Sequence, residues 1–169
     1  NDVMVASSGN DTYTFGSGSD TVDYSGMGQS VRLVRGGTVD KGSAGTDTFT
    51  DFYETIKAST GKGDWIDGIT GGGRTASLNA DLSANSLKIT GLPGFGSVSV
   101  KVENFENIDG SDTADRLKGD SNNNELKGNG GNDVMLASAG NDTYTFGSGS
   151  DTLDYSSLGQ TITFKKGGS

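Results

Sequence analysis

Residues 110–154 read GSDTADRLK, GDSNNNELK, GNGGNDVML, ASAGNDTYT and FGSGSDTLD, five successive lines of nine with one chemical layout. The sixth place holds Asp115, Asn124, Asp133, Asp142 and Asp151, and the eighth holds Leu117, Leu126, Met135, Tyr144 and Leu153. The first six places are rich in Gly, Asn, Asp and Ser. These residues favour a tight turn, because Gly takes positive φ without strain and Asn and Asp bond to local backbone. The last three places suit a short strand with its middle side chain turned inward. Two such units make one coil of a flattened parallel helix, so lines two apart stack on each other. Asp115, Asp133 and Asp151 then share one edge, and Asn124 and Asp142 the other.

Carboxylates stacked at strand spacing, roughly 4.8 Å, repel unless a cation lies between them. Calcium suits such turns, since it takes many oxygen ligands in a flexible shell and each turn offers Asp oxygens and backbone carbonyls. Zinc and copper favour His or Cys, and the chain has neither. Magnesium, with its stricter octahedral geometry, fits less well. Asp133 stands between Asp115 and Asp151 in its row and is expected to face an ion on either side.

The lines resemble the nonapeptide G-G-x-G-x-D-x-U-x of the RTX (repeats-in-toxin, hemolysin-type) family, a calcium-binding solenoid repeat. The nearest line is Gly128-Asn129-Gly130-Gly131-Asn132-Asp133-Val134-Met135-Leu136. The resemblance implies a right-handed parallel β-roll with calcium between adjacent turns on both edges, and a parent exported by type I secretion that folds outside the cell. Asn124 in place of the acid, and Ala137 and Phe146 in place of the leading Gly, imply weaker sites at those lines.

Composition agrees with a chain of this kind. Of 169 residues 29 are Gly and 30% are apolar, too few for a conventional core. The net charge of −9 disfavours nucleic acid and anionic membranes as partners and fits a chain that takes up cations. The acids comprise 18 Asp and 4 Glu, a bias to the short carboxylate that works inside tight turns. Without Cys there is no disulfide framework, and no apolar run is long enough to span a membrane. A disordered acidic linker would have no reason to keep an apolar residue at every eighth place.

The chain also repeats itself. Asn1–Thr38 aligns without gaps on Asn132–Ser169 with 26 identities in 38 positions, an offset of 131 residues that points to a tandem array. The first copy supplies sixth-place acids Asp2, Asp11 and Asp20, with Met4, Tyr13 and Val22 inward. Between residues 39 and 109 the beat is intermittent. Gly42-Ser43-Ala44-Gly45-Thr46-Asp47-Thr48-Phe49-Thr50 is a full line and Gly61-Lys62-Gly63-Asp64-Trp65-Ile66 most of another, which makes Asp47 and Asp64 candidates to share an ion. Ala76–Leu82, Ser86–Thr90 and Ser97–Glu103 read as ordinary strands, with Leu92-Pro93-Gly94 a turn. SVRLV (30–34) and TITFK (161–165) alternate as half-buried strands do.

The expected fold is all-β: a parallel β-roll or β-helix solenoid with calcium-bound turns, interrupted by longer metal-free coils or by a small antiparallel sheet projecting from Ala76–Glu103. Residues 1–30 form the downstream half of one roll, 31–108 a connecting segment, 109–155 a complete roll and 156–169 the start of the next connecting segment.

No residue set suggests catalysis. A Ser-His-Asp or Cys-His arrangement needs residues the chain lacks. Thr60-Gly61-Lys62-Gly63 lacks the spacing of a phosphate loop. Glu103 with Glu106, or Asp64 with Asp67, could pair as glycosidase carboxylates, but acids near turns read better as ligands or solvated groups. Trp65 and Phe95 could mark a sugar-contacting surface, although a Trp beside Ile66 reads better as core or edge packing. The expected role is a structural repeat of a secreted surface, matrix or adhesive protein outside the cell. Its partners are calcium ions and neighbouring repeats of the same chain, with extracellular polysaccharide or another matrix protein as a further candidate, and neither nucleic acid nor membrane insertion is expected. The alternative is a non-catalytic secretion and folding module of an exported hydrolase or epimerase.

Overall fold

In a computed structural model, which describes residues 1–34, 37–50, 53–60, 63–69, 75–92, 96–159, 161 and 163, the chain winds between two facing sheets. Strand β1 (Val3–Val5) lies in sheet A, β2 (Thr12–Tyr13) in sheet B, and β3 (Thr21–Asp23) in sheet A again. β4 (Arg32–Val34) then enters sheet B two places beyond where a simple coil would put it. β5 (Thr38–Asp40) and β6 (Thr46–Phe49) fold back through the gap until β6 lies parallel to β2. β7 (Thr55–Lys57) and β8 (Trp65–Asp67) resume the coil.

The same step over and back recurs in sheet A. β9 (Ser77–Asp81) lands two places ahead, β10 (Ser86–Leu92) returns antiparallel, and β11 (Gly96–Glu103) meets β7 in parallel. From β12 (Asn107–Asp109) onward the alternation is strict, with β14 (Glu125–Gly130) and β16 (Thr143–Ser148) in sheet B and β13 (Arg116–Lys118), β15 (Val134–Leu136) and β17 (Thr152–Asp154) in sheet A. Among the described strands only β5 and β10 run against their sheets.

The eighth-place register holds through the roll. Leu117 pairs with Met135 and Met135 with Leu153 in sheet A, and Leu126 pairs with Tyr144 in sheet B. Leu117, Leu126 and Met135 are wholly buried between the sheets, as are Val22, Ile56 and Ile108 from earlier coils. Each such side chain contributes about 1.5–3 kcal/mol of apolar burial, which supplies a narrow core from few apolar residues. Tyr144 and Leu153, in the last described coil, are partly covered and pack against the same core.

The strands over 77–103 do not project as a separate sheet; they are built into sheet A between β7 and β13. The reason lies in their alternation. Leu78, Ala80, Leu87 and Val102 all point into the core, and a projecting sheet would leave them in water. Ile66 enters the core, whereas Trp65 is half-buried with Arg32 5.3 Å and Lys127 4.5 Å from its ring centre. Gly61, Lys62, Pro93, Gly94, Phe95 and most of 161–165 lie outside the described residues.

Candidate metal centre

In the last three lines of the roll the turn is built on a fourth-place Gly, at Gly131, Gly140 and Gly149. Gly131 and Gly140 have φ of +107° and +109°, and a Cβ on either would lie 2.4 Å from the Thr113 carbonyl carbon or 2.2 Å from the Asn122 carbonyl oxygen of the turn one coil earlier. Glycine is required both for left-handed backbone and for this approach. Turns stacked so closely bring their fifth and sixth side chains against the neighbouring backbone.

The sixth place forms a ladder. Asp115 N–H donates to Asp133 Oδ1 at 2.9 Å, Asp133 N–H to Asp151 Oδ1 at 3.0 Å, and Asp2 N–H to Asp20 Oδ1 at 2.8 Å. On the opposite edge Asn124 N–H donates to Asp142 Oδ1 at 3.0 Å. Fifth-place Asn residues bond in the other direction, with Ser150 N–H on Asn132 Oδ1 at 2.9 Å and Asn141 N–H on Asn123 Oδ1 at 2.8 Å. One oxygen of each ladder carboxylate is thus committed to holding adjacent coils in register.

The fate of the second oxygen depends on the second place of the line. In three lines that place is a Ser whose hydroxyl folds onto the acid: Ser7 Oγ donates to Asp11 at 2.9 Å, Ser111 Oγ to Asp115 at 2.9 Å, and Ser138 Oγ to Asp142 at 2.7 Å, whereas at Asp47, with Ser43 in that place, Tyr24 and Lys41 meet the carboxylate. Asp115 is saturated, since it also accepts Leu78 N–H at 2.6 Å and Ser111 N–H at 2.5 Å. Asn124 is likewise held, its Oδ1 accepting Asp120 N–H at 2.9 Å and its amide donating to the Glu106 carbonyl at 2.7 Å.

Where the second place is Gly16 or Asn129, no hydroxyl is available, and the outer oxygens of Asp20 and Asp133 are buried without a donor. A buried carboxylate oxygen with no donor is costly unless a cation meets it. At Asp133 a second acceptor converges. Asp133 Oδ2 and the Phe146 carbonyl oxygen lie 2.3 Å and 2.6 Å from the point where a Cβ on Gly128 would stand. Two acceptors facing one cradle fit a hard cation that takes carboxylate and carbonyl oxygens together. Among the described residues no three acidic side chains cluster, so carbonyls must supply much of the shell.

Burial has its electrostatic signature. It pushes the Asp115 carboxyl up to about 6, helped by the charge of Asp133. Asp133 is also raised, by burial first and then by Asp151. Asp64 and Glu106 are raised chiefly by burial as well.

The remaining expected ligands are placed differently. Asp47 and Asp64 are not brought together, because β5 and β4 separate β6 from β8 in sheet B. Asp47 instead lies beside Asp11, whose N–H it accepts at 3.1 Å, and the buried ammonium of Lys41 bonds to it directly. Asp64 accepts Val31 N–H at 2.5 Å and Ser59 Oγ at 2.9 Å, and its own N–H donates to Glu106 at 2.9 Å. Glu54 and Glu106 are ladder members that the nine-residue beat does not reveal. Glu54 accepts Asp20 N–H at 2.6 Å, and the signal for either was only an acid shortly before a short strand. Of the considered carboxylate pairs, Asp67 is tied to Arg32 at 2.5 Å and Glu103 to Lys101 at 2.6 Å.

A mostly parallel two-sheet solenoid whose Gly-rich turns line up carboxylates and carbonyls defines a calcium-binding β-roll. Residues 1–22, 109–144 and 119–153 match the family model for the RTX calcium-binding nonapeptide repeat, in four copies. The chain therefore carries RTX repeats, and calcium is the ion of their turns. No curated protein matches the chain. Asp133 and Asp20, each with a buried oxygen that meets no donor, would hold the ion together with turn carbonyls, and bound calcium would neutralise the carboxylate rows.

Proposed function

We propose that this chain is a calcium-stiffened structural repeat of a secreted, tandemly built surface, matrix or adhesive protein. The observation that carries the reading is the equal advance of both sheets. Residues 1–23 and 132–154 are copies, and from β1 to β15 sheet A advances seven strands, while from β2 to β16 sheet B advances seven as well. Each step over and back adds two extra strands to one sheet, and one such step occurs in each sheet, so the two stay level. A repeat that returns both sheets to the same relation can be stacked without limit, as an array requires.

At ~4.8 Å per strand, seven strands give about 34 Å of length per period. Such a segment is a spacer whose length adds period by period, stiffened where calcium ties successive turns. Asp133, Asp20, Asp151 and Asp2 serve the calcium rows in this reading, and function lies outside catalysis. Small-angle scattering of proteins with one, two and four periods in calcium should give a length that rises linearly by about 34 Å per period. A radius of gyration that grows as for a compact globule would refute the spacer role.

A further inference from the structure

We propose that Lys41 is a built-in cation that replaces calcium between Asp11 and Asp47, so that this rung of an otherwise calcium-dependent solenoid takes no metal. The inference rests on the reading of the other rungs as calcium sites. Asp11 and Asp47 are sixth-place acids of adjacent coils, the same relation that Asp133 bears to Asp151. In both pairs the earlier residue's N–H donates to the later carboxylate, at 3.1 Å and 3.0 Å. The difference is what meets the remaining oxygens.

Lys41 is completely buried, and its ammonium bonds to Asp47 Oδ1, to the Ser7 carbonyl at 2.8 Å, and lies 3.6 Å from Asp11 Oδ2. Two carboxylates from neighbouring coils and a turn carbonyl are the kinds of oxygen that calcium would recruit there. The ammonium thus donates hydrogen bonds to two of these oxygens and stands in ion-pair reach of the third. The other Asp47 oxygen accepts the Tyr24 hydroxyl at 2.8 Å, so Asp47 has no oxygen left without a donor. A divalent ion beside Lys41 would meet a like charge and no open carboxylate on Asp47. This contrasts with Asp133 and Asp20, whose outer oxygens meet no donor.

The backbone explains how a lysine reaches this position. Lys41 follows β5, the strand that runs against sheet B, and a 3-10 turn over Gly42–Ala44 then leads to Gly45 and β6. Its N–H donates to the Gly45 carbonyl at 2.8 Å, and the Gln29 amide donates to its carbonyl. Asp142, the counterpart of Asp11 in the second copy, accepts Ser138 as Asp11 accepts Ser7, and accepts the Tyr144 hydroxyl as well. The reversed strand thus delivers a charge at the place where the regular succession of calcium turns is broken.

The test counts bound calcium, by native mass spectrometry and isothermal titration, in the wild-type chain and in Asp11→Asn, Lys41→Ala and Asp133→Ala proteins. Asp11→Asn should bind as many ions as the wild type. Lys41→Ala, folded in saturating calcium, should bind one more. Loss of an ion in Asp11→Asn overturns the proposal, and so does a Lys41→Ala protein that gains none or stays unfolded in saturating calcium. Failure of the underlying calcium reading is distinct: it would appear as a wild type that binds no ion, or as Asp133→Ala binding as many as the wild type.

Discussion

Replacing Asp133 with Ala should be mild without calcium and severe with it. Without calcium the substitution removes the acceptor of the Asp115 N–H, a buried bond of 2.9 Å. Leaving that donor unpaired costs about 1–3 kcal/mol. The loss is partly offset, because the same change removes a buried carboxylate oxygen that has no donor and the repulsion between Asp133 and Asp151. With calcium at a hundredfold excess over its dissociation constant, each lost ion withdraws about 2.7 kcal/mol. One ion and one orphaned N–H together give roughly 4–6 kcal/mol, a large part of the stability of an ordinary domain. Asp112, exposed and at the third place of its line, is the control. Urea denaturation followed by circular dichroism, in chelator and in excess calcium, yields the difference between the two conditions for each variant. If Asp133→Ala and Asp112→Ala lose equal stability in calcium and share one calcium midpoint, the sixth-place acids are not the ligands.

Three further expectations follow from the same geometry. Gly140→Ala should cost several kcal/mol, since positive φ alone costs a non-Gly residue about 1–3 kcal/mol and its Cβ would stand 2.2 Å from the Asn122 carbonyl oxygen, whereas Gly26→Ala, with nothing within 4 Å, should be close to neutral; melting temperatures in calcium that fall equally would contradict the close stacking of turns. Calcium-free protein should gain stability on mild acidification: the folded carboxyl of Asp115 sits at about 6 against an ordinary 3.8, so the folded state binds the proton first between those values and stability falls as pH rises through them, by up to on the order of 3 kcal/mol. Urea midpoints in chelator that are higher near neutral pH than near pH ~5 would reverse that sign. Leu117→Ala, at a wholly buried eighth place, should cost about 2–5 kcal/mol in calcium, and a loss as small as that of an exposed substitution would displace the core from between the sheets.

What the sequence reveals and what it conceals divide along one physical line. The roll over 110–154 is legible because its contacts sit at a fixed separation: Leu117, Met135 and Leu153 pair at 18-residue intervals, and a local pattern therefore specifies a tertiary contact. The segment from 31 to 108 has no such separation. Leu78, Ala80, Leu87 and Ile89 announce alternating strands, but alternation is the same for a strand that runs with its sheet and for one that runs against it. Partner choice there depends on distant edges, β7 and β13, which no local pattern encodes. The ladder is hidden for the same reason, since Glu106 reaches the Asp64 N–H across 42 residues and lies outside the beat. The capping of Asp11, Asp115 and Asp142 was legible in principle, as a Ser four residues before each acid. Lys41 is the hardest case. A lysine ahead of a Gly-rich line reads as a solvated charge, and it becomes a buried one only because the reversed β5 brings the chain back beside Ser7 and Asp11. A residue whose role is to replace an ion is thus recognisable only after the path of the chain is known, whereas residues that bind the ion are recognisable from the repeat alone.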